Sequence, residues 1–216
     1  MVATSKTYKN LYKIYLKRSI NLKLYQKLGI FFLVVVISGF AGWCYEVLVA
    51  LLENGSFYMR GGNLLPWINI YAIGALLIIP TTYKFRQNPL IVFLFSALVT
   101  GALELFAGWL IYTITGSRLW NYDHDIWLIG SIDGHVCLLS ILIFGIFSLA
   151  LVYLIVPALI ILSNHLSRHT FLVLAITLFS LVMIDELTNL CLSATHHPTA
   201  VDFYKSHGIK YSSKNP

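Results

Sequence analysis

Charged residues are unusually rare in this 216-residue sequence. Only 11% of its residues are Asp, Glu, Lys or Arg, against about 25% in soluble domains. Hydrophobic residues make up 58%, and the mean hydropathy is +0.76. This composition excludes an ordinary soluble protein and predicts an all-α integral membrane protein. Cysteine is also scarce, and Cys44, Cys137 and Cys191 are far apart in or beside apolar runs. That placement excludes a disulfide framework and a CxxC metal motif.

The net charge of +6 does not indicate a nucleic-acid partner, because seven of the fifteen Lys and Arg residues precede position 28, beside an apolar run. Within residues 5–27, lysines at 6, 9, 13 and 17 recur at helical spacing, and aromatic and leucine side chains occupy another side. This pattern predicts an N-terminal basic amphipathic helix on the anionic inner leaflet. A plain positive-inside anchor and a docking surface for a cytoplasmic partner are the alternatives.

Five apolar runs of about 20 or more residues predict a bundle of about five transmembrane helices. They cover residues 28–52, 64–83, 89–115, 134–162 and 170–193. We expect Pro157 to kink the fourth span near one end. The predicted organisation is therefore a cytoplasmic basic segment (1–27), a transmembrane domain (28–193) and a polar C-terminal tail (194–216).

The distribution of basic residues predicts the orientation. With the N-terminus in the cytoplasm, most Lys and Arg residues near the spans lie inside, while Arg60 and Arg118 lie outside. The lysines of the C-terminal tail oppose this assignment, but two of the three lie far from the last span, where the rule weakens. We therefore expect a multi-pass protein of the plasma membrane with its C-terminus outside.

Four acids fall within the predicted spans: Glu46, Glu104, Asp185 and Glu186. Each would cost about 2.5–3.5 kcal/mol at a helix centre on insertion scales. Glu46, Glu104 and Asp185 lie 16 to 18 residues from the inner ends of their spans, and all three spans run outward. The sequence therefore predicts a layer of acids in the outer half of the membrane.

Counter-charges follow at a repeated spacing, since Arg60 comes 14 residues after Glu46 and Arg118 comes 14 residues after Glu104. The long arginine side chain can reach back toward the membrane, and the repeat suggests that spans 1–2 and 3–4 are weakly related. Small residues accompany the acids, because glycines at 42 and 108 lie four residues from Glu46 and Glu104. Tyr71 and His135 enter spans 2 and 4 from the outside and are further candidates for the site.

Two interpretations of these residues stay open. In the first they form a polar site for a cation, a proton or a polar head group, because intramembrane ionisable groups are commonly functional. In the second they only hold helices together, in a structural or accessory membrane protein whose acids pair with arginines.

Enzymatic chemistry is not expected. Neither a Ser-His-Asp arrangement nor HExxH is present, and the neighbours Asp185 and Glu186 point about 100° apart on a helix. An intramembrane enzyme, with Glu46 and Glu104 sharing a proton, is a lesser alternative. The runs Asp123-His124-Asp125 and His196-His197 fit no defined metal motif. We predict no cofactor and no metal.

Ordered motifs between about residues 35 and 160 resemble those of the CmpB family of ABC-transporter permeases, which are small bacterial membrane proteins of about this length. The matching pieces are Gly42-Trp43-x-x-Glu46, Arg60-Gly61 with Pro66, Ile70-Tyr71-x-x-Gly74-Ala75, Glu104 with Gly108-Trp109, Arg118-x-Trp120-x-Tyr122, and Gly134-x-Val136-Cys137-Leu138 with Ser140 and Gly145.

The chain departs from the family pattern at three places. Leu119-Trp120-Asn121-Tyr122 stands where the family has Trp-Trp-Asp-Tyr, Asn69 stands for a proline, and Ala72 stands for a glycine. A role for the family's aspartate therefore does not transfer to Asn121, and the chain looks like a divergent member.

The resemblance implies transport of a small substrate. Because no GxxxxGK[ST] phosphate loop occurs in the sequence, ATP hydrolysis would belong to a separate subunit. Five spans are few for a solitary transporter, so a homo-oligomer or another partner subunit is expected. Membrane lipid is the surrounding solvent, and no nucleic-acid partner is expected.

Overall fold

The computed structural model describes residues 13–15, 21–118, 120–123 and 129–211, and within these ranges the chain is helical and forms no β-strand. The main described helices are α1 (Leu24–Asn54), α2 (Asn69–Thr82), α3 (Pro89–Thr115), α4 (Leu138–Ala150), α5 (Val156–His165), α6 (Arg168–Ala194) and α7 (Ala200–Ser206).

Four of the described stretches are long and apolar enough to cross a membrane, judged by length and composition: Leu24–Glu53, Pro89–Thr115, Leu138–His165 and Arg168–Ala194. These helices make the chain a multi-pass membrane protein. The third predicted span, 89–115, has the bounds of α3.

The second predicted span, 64–83, folds differently from the prediction. Helix α2 has 14 residues, about 21 Å at 1.5 Å per residue, which is shorter than the roughly 30 Å of a hydrocarbon core. A short 3₁₀ turn, Tyr83–Phe85, continues it. The run is apolar enough to look like a span, but Pro66 lies within it and the residues before α2 are not helical.

The span from Leu138 to His165 contains an irregular turn near its middle. Residues Leu151–Ile155 form a π-helical turn between α4 and α5, closed by a bond from the Val156 N–H to the Leu151 carbonyl. Pro157 lies in the first turn of α5, where its missing N–H removes an α-helical bond. The irregular turn thus lies near the middle of this span, before Pro157, and not near one end as the sequence predicted.

The ends of α1 and α3 are alike. Each stops at a glycine in the left-handed conformation, Gly55 with φ +64° and Gly116 with φ +67°, the usual way to end a helix and turn the chain. Asn88 caps the start of α3 by accepting bonds from the backbone N–H groups of Leu90 and Ile91. Helices α1, α3 and α6 finish at the same end of the bundle, here called the loop end.

The opposite end holds the largest apolar core. Val34, Val92, Phe171 and Ala175 are fully buried there. Helix α6 packs closely on α1 at Gly29. The ring of Phe171 lies so near that a Cβ atom at this position would overlap it. This core holds the bundle together away from the acids.

Some predicted features lie outside the described residues. The basic helix predicted over 5–27 falls there for the most part, as do His124, Asp125 and positions 212–216 of the tail. The described part of the predicted tail contains α7.

Candidate functional site

A non-helical stretch of chain enters the bundle between α1 and α2. We call residues 55–68 the inserted segment. The Ile68 N–H donates to the Gly39 carbonyl at 3.1 Å, and the Trp67 indole N–H donates to the Val35 carbonyl at 3.1 Å. Gly39 lies 15 residues before Asn54, the last residue of α1, or about 22 Å along the helix. The segment therefore descends to the middle of α1.

Glycines on α1 make room for the descent. A Cβ atom on Gly39 would overlap the indole of Trp67, and one on Gly42 would overlap the ring of Tyr71. The predicted role of small residues near Glu46 was close helix packing. In the structure these two glycines admit aromatic side chains from the inserted segment and from the first turn of α2.

Backbone groups of the inserted segment find partners on α6. The carboxylate of Asp185 accepts bonds from the N–H groups of Leu64, at 3.2 Å, and Leu65, at 2.6 Å. The side-chain amide of Asn189 donates to the Gly62 carbonyl. Non-helical backbone is tolerated at membrane depth only where protein or water satisfies it, and here α6 does so.

The chain after α6 supplies the remaining contacts to this backbone. The Tyr204 hydroxyl donates to the Leu64 carbonyl at 2.5 Å, and the Tyr211 hydroxyl donates to the Gly61 carbonyl at 3.0 Å. The Met59 N–H donates to the Lys210 carbonyl at 2.8 Å. Part of the predicted tail therefore covers the inserted segment from the loop end.

Glu46 forms the ion pair that the 14-residue spacing predicts. The Arg60 guanidinium donates to its carboxylate from Nη2 at 2.7 Å and from Nε at 3.3 Å. The Tyr71 hydroxyl donates to the other oxygen at 2.8 Å. The exposed fractions of the two charged side chains are only 22% for Glu46 and 7% for Arg60. This carboxylate is thus neutralised and ties the inserted segment to α1.

Glu186 accepts hydrogen bonds from two side-chain amides, one in the inserted segment and one at the first residue of α2. Asn63 donates to it at 2.5 Å and Asn69 at 3.3 Å. Asn69 and Tyr71 lie in the first turn of α2, so one turn contacts the acids of both α6 and α1.

We expect Asp185→Asn to loosen the inserted segment, because an amide can replace only one of the two accepting oxygens. The free energy of unfolding should fall by about 0.5–1.5 kcal/mol, the net contribution of one hydrogen bond. Hydrogen exchange measured by mass spectrometry should accelerate in peptides covering residues 60–68. The matched control Asp123→Asn, in the loop after α3, should leave those peptides unchanged; equal exchange in both variants would contradict the role of Asp185.

Glu104 lies in a different environment, in the middle of α3 and only 3% exposed. It accepts hydrogen bonds from the Tyr122 hydroxyl at 2.5 Å and the Ser140 hydroxyl at 2.8 Å. Ser140 also caps the start of α4 together with Cys137. Two uncharged hydroxyls therefore hold this carboxylate from the loop and from α4.

Tyr122 is positioned by the loop between α3 and α4. Its backbone N–H donates to the Gly134 carbonyl at 3.0 Å, and Gly134 has a φ of +66°. A Cβ atom there would overlap polar side chains of the loop. Burial, and then the adjacent Glu104 carboxylate, raise the pKa of the Tyr122 hydroxyl well above its usual range. Tyr122 therefore keeps its proton and remains a donor to Glu104.

The prediction that Arg118 is the counter-charge of Glu104 is wrong. The Arg118 guanidinium donates to Asp123 at 3.1 Å and to Asn121 at 3.1 Å, and it lies 5.3 Å from the ring centroid of Tyr112. The reason is local: Asn121 and Asp123 follow Arg118 by three and five residues in the same loop and bind its guanidinium there, while Tyr122 is the loop residue that reaches Glu104.

His135, in the loop before α4, packs against the face of α3 that carries Glu104, one turn nearer to the loop end. It is 6% exposed, and its ring occupies the space beside Gly108, where a Cβ atom would press on Nδ1. The Trp120 indole N–H donates to the His135 carbonyl at 2.8 Å. The structure thus places His135 beside Gly108, one helical turn from Glu104, and Tyr71 in hydrogen-bond contact with Glu46.

Several polar contacts were not among the predicted site residues: Tyr122, Ser140, Asn63, Asn69, Asn189 and Tyr204. The sequence could have indicated Asn189, because it lies four residues after Asp185 and therefore on the same helix face. For Ser140 the signal was its place three residues after Cys137 at the start of a helix.

Comparison with protein families gives a match to the family described as "Putative ABC-transporter type IV" over residues 30–190. Comparisons with curated proteins and with solved structures give no match.

Proposed function

Because the chain belongs to the "Putative ABC-transporter type IV" family, we propose that it is the permease subunit of an ABC-type transporter in the plasma membrane. The observation that carries the proposal is the inserted segment together with the short helix α2. Broken helices joined to irregular backbone near the middle of a membrane domain are typical of transporters, where they line the path of the substrate.

In this proposal α2 and the inserted segment make a fifth crossing. The segment starts at the loop end, reaches the level of Gly39 and is continued by α2 to the opposite end. The N-terminus lies in the cytoplasm and the loop end faces outward, which is the orientation that the basic residues favour. The acids then lie in the outer half of the membrane.

A separate subunit would supply ATP hydrolysis, because the sequence has no phosphate-binding GxxxxGK[ST] loop. The basic segment 1–27 is the proposed contact for that subunit. A second copy of the chain is a further proposed partner, since five crossings are few for a solitary transporter. The substrate is a small molecule of unknown class.

Among the acids we assign the functional role to Glu104. Glu46 is paired with a guanidinium, and Asp185 and Glu186 hold backbone and amide groups of the inserted segment. Glu104 is the most buried of the four, and the hydrogen-bond donors at 2.5 Å and 2.8 Å are uncharged hydroxyls. An ionisable side chain buried this deeply within a membrane-spanning helix is by default a functional-site candidate.

The test is a Glu104→Gln variant expressed in a strain from which the native gene has been deleted. Gln retains the shape and can still bond to both hydroxyls, so the thermal unfolding temperature in detergent should change by only a few degrees. We expect mass spectrometry of the growth medium to show a solute flux that is lost on deletion, restored by the wild-type chain and not restored by Glu104→Gln. Unchanged fluxes on deletion would exclude transport, and full restoration by Glu104→Gln would exclude the site.

The second candidate is a non-transporting structural or accessory membrane protein. The Glu46–Arg60 ion pair favours it, because this largely buried charged contact joins α1 to the inserted segment and so has a structural role. In that case deletion alters no solute flux, and substitutions at all four acids reduce stability in proportion to their contacts.

A further inference from the structure

We propose that a cavity at the end of the bundle opposite the loop end holds part of one acyl chain of an anionic phospholipid, whose phosphate group binds lysines beside the cavity. We call this end, where α1 begins and α2 stops, the basic end. The proposal goes beyond the proposed function, because it holds whether or not the chain transports a solute. It rests on the cavity, on the π turn in its wall and on the charges around it.

The cavity has a volume of about 130 Å³ and lies between α1, α2 and α5. Aliphatic side chains such as Ile30, Ile79 and Ile160 form much of its wall. The hydroxyl of Thr82, another wall residue, donates to the Ile78 carbonyl at 2.6 Å. A buried water needs two to four polar partners, whereas an apolar cavity of about 150 Å³ stays dry and takes up benzene. The cavity therefore suits a short length of hydrocarbon.

The π turn builds one side of the cavity, because Val152 and Val156 are both wall residues. The Val156 N–H donates to the Leu151 carbonyl and not to the Val152 carbonyl, its partner in a regular α-helix, and the next residue, Pro157, has no N–H. The Tyr15 hydroxyl donates to the Val152 carbonyl at 2.9 Å. The π turn thus presents a backbone acceptor that holds Tyr15 in the wall, and such turns are frequent at functional sites.

A buried arginine positions the two aromatic wall residues, Tyr15 and Tyr83. The Arg86 guanidinium donates to the backbone carbonyls of both, and it lies 4.0 Å from the ring centroid of Tyr83 and 5.6 Å from that of Tyr15. Arg86 is 6% exposed, whereas Tyr83 is 38% exposed. Fixed aromatic groups therefore bound the cavity, and at Tyr83 its wall reaches the surface of the bundle, where a lipid chain can enter.

The charges beside the cavity are of one sign. Four exposed lysines lie within three residues of a wall residue along the chain: Lys13, Lys23, Lys27 and Lys84. Among the described residues, every Asp and Glu lies in the loop-end half of its helix or in the chain at the loop end, so no described carboxylate neutralises these lysines. Basic sites at a membrane surface bind anionic lipid head groups, with roughly a fivefold gain in affinity for each lysine. The charge therefore selects an anionic phospholipid over a zwitterionic one.

The experiment uses the full chain in phosphatidylcholine nanodiscs that contain a small fraction of phosphatidylglycerol with a photoreactive diazirine in its acyl chain. After illumination, mass spectrometry of peptides locates the attached lipid. We expect the label in the peptides that carry Ile30 and Val152, and about tenfold less of it when phosphatidylcholine carries the same diazirine chain. Added unlabelled phosphatidylglycerol should compete for these two peptides.

Substitutions in the wall test the position of the acyl chain. Ile79→Phe fills part of the cavity and should lower the labelling of the Val152 peptide by about tenfold. The matched control Leu98→Phe, at a position on α3 that is 71% exposed, should leave it unchanged. Val156→Ile adds a single methyl group to the wall and is the milder second variant. The thermal unfolding temperature in detergent shows whether each variant is folded.

Substitutions of the lysines test the head group. Lys23→Gln/Lys84→Gln should weaken labelling by phosphatidylglycerol by about 25-fold, at about fivefold for each lysine, and leave labelling by phosphatidylcholine unchanged. The matched control is Lys205→Gln/Lys210→Gln, two exposed lysines at the loop end, which should retain the preference for phosphatidylglycerol.

Three results would overturn the proposal. Equal labelling by the two lipids in the wild-type chain excludes an anionic ligand, and this comparison requires no variant to fold. Labelling of the Val152 peptide that is unchanged in both Ile79→Phe and Val156→Ile excludes the cavity as the site. Label spread equally over the Val152 peptide and the lipid-exposed Leu98 peptide shows ordinary contact with surrounding lipid only.

Discussion

Arg60→Leu is expected to lower the free energy of unfolding by about 3–5 kcal/mol, because it leaves the Glu46 carboxylate without its guanidinium in a largely buried place. The pair is bonded through two nitrogens, and both side chains are mostly shielded from solvent. Unfolding of the purified chain by titration with dodecyl sulfate measures the loss. Tyr71 continues to donate to Glu46 but cannot neutralise it.

The double variant Glu46→Gln/Arg60→Leu should recover more than half of that loss. It removes the stranded charge and leaves an amide oxygen to accept the Tyr71 hydrogen bond. The matched control is Arg118→Leu, whose pair with Asp123 is half-exposed and should cost below about 1 kcal/mol. A similar loss for Arg60→Leu and Arg118→Leu, or a double variant less stable than Arg60→Leu, would contradict the role assigned to the Glu46 pair.

Gly39→Ala is the second large effect that we expect, with a loss of about 1–3 kcal/mol from overpacking. The added methyl group would overlap the Trp67 indole, which is 4% exposed and bonded to the Val35 carbonyl. Since alanine otherwise favours a helix by about 1 kcal/mol over glycine, a net loss is diagnostic of the contact. Thermal unfolding followed by tryptophan fluorescence measures it.

Gly62→Ala serves as the control for this substitution, because the nearest atom to a new Cβ there is 3.9 Å away and ordinary surface changes stay within about 0.5 kcal/mol. The combination Gly39→Ala/Trp67→Leu should lose less than the sum of its single variants, since residues in contact are not additive. If Gly39→Ala stabilises the chain, Trp67 does not lie against Gly39.

The sequence predicted the parts of the fold that depend on long apolar runs. Helix α3 has the bounds of the predicted span 89–115, because both its start, at Asn88 and Pro89, and its end, at Gly116, carry strong local signals. The acids and the Glu46–Arg60 contact were also predictable, since an unpaired carboxylate in an apolar run requires a partner.

The inserted segment could not be predicted from its own residues. Its apolar side chains suit a span, and what keeps it non-helical comes from Asp185 and Asn189, more than 115 residues away along the chain, and from Tyr204 and Tyr211. Such contacts are fixed by tertiary structure and leave no periodic signal in the sequence.

The wrong partner for Glu104 shows the limit of spacing as evidence. Arg60 and Arg118 follow their acids at the same distance, but one lies on a segment that returns into the bundle and the other on a loop closed by its own polar groups. Equal spacing predicts equal contacts only where the connecting chain follows the same course, and here it does not.

The central claim is a division of roles: Glu46, Asp185 and Glu186 hold the inserted segment, while Glu104 serves the function. One measurement tests it directly, namely solute flux and unfolding free energy determined side by side for Glu104→Gln, Asp185→Asn and Arg60→Leu. The account predicts that Glu104→Gln loses flux at nearly wild-type stability, whereas Asp185→Asn and Arg60→Leu lose stability. A Glu104→Gln chain that keeps its flux while losing as much stability as Arg60→Leu would contradict it.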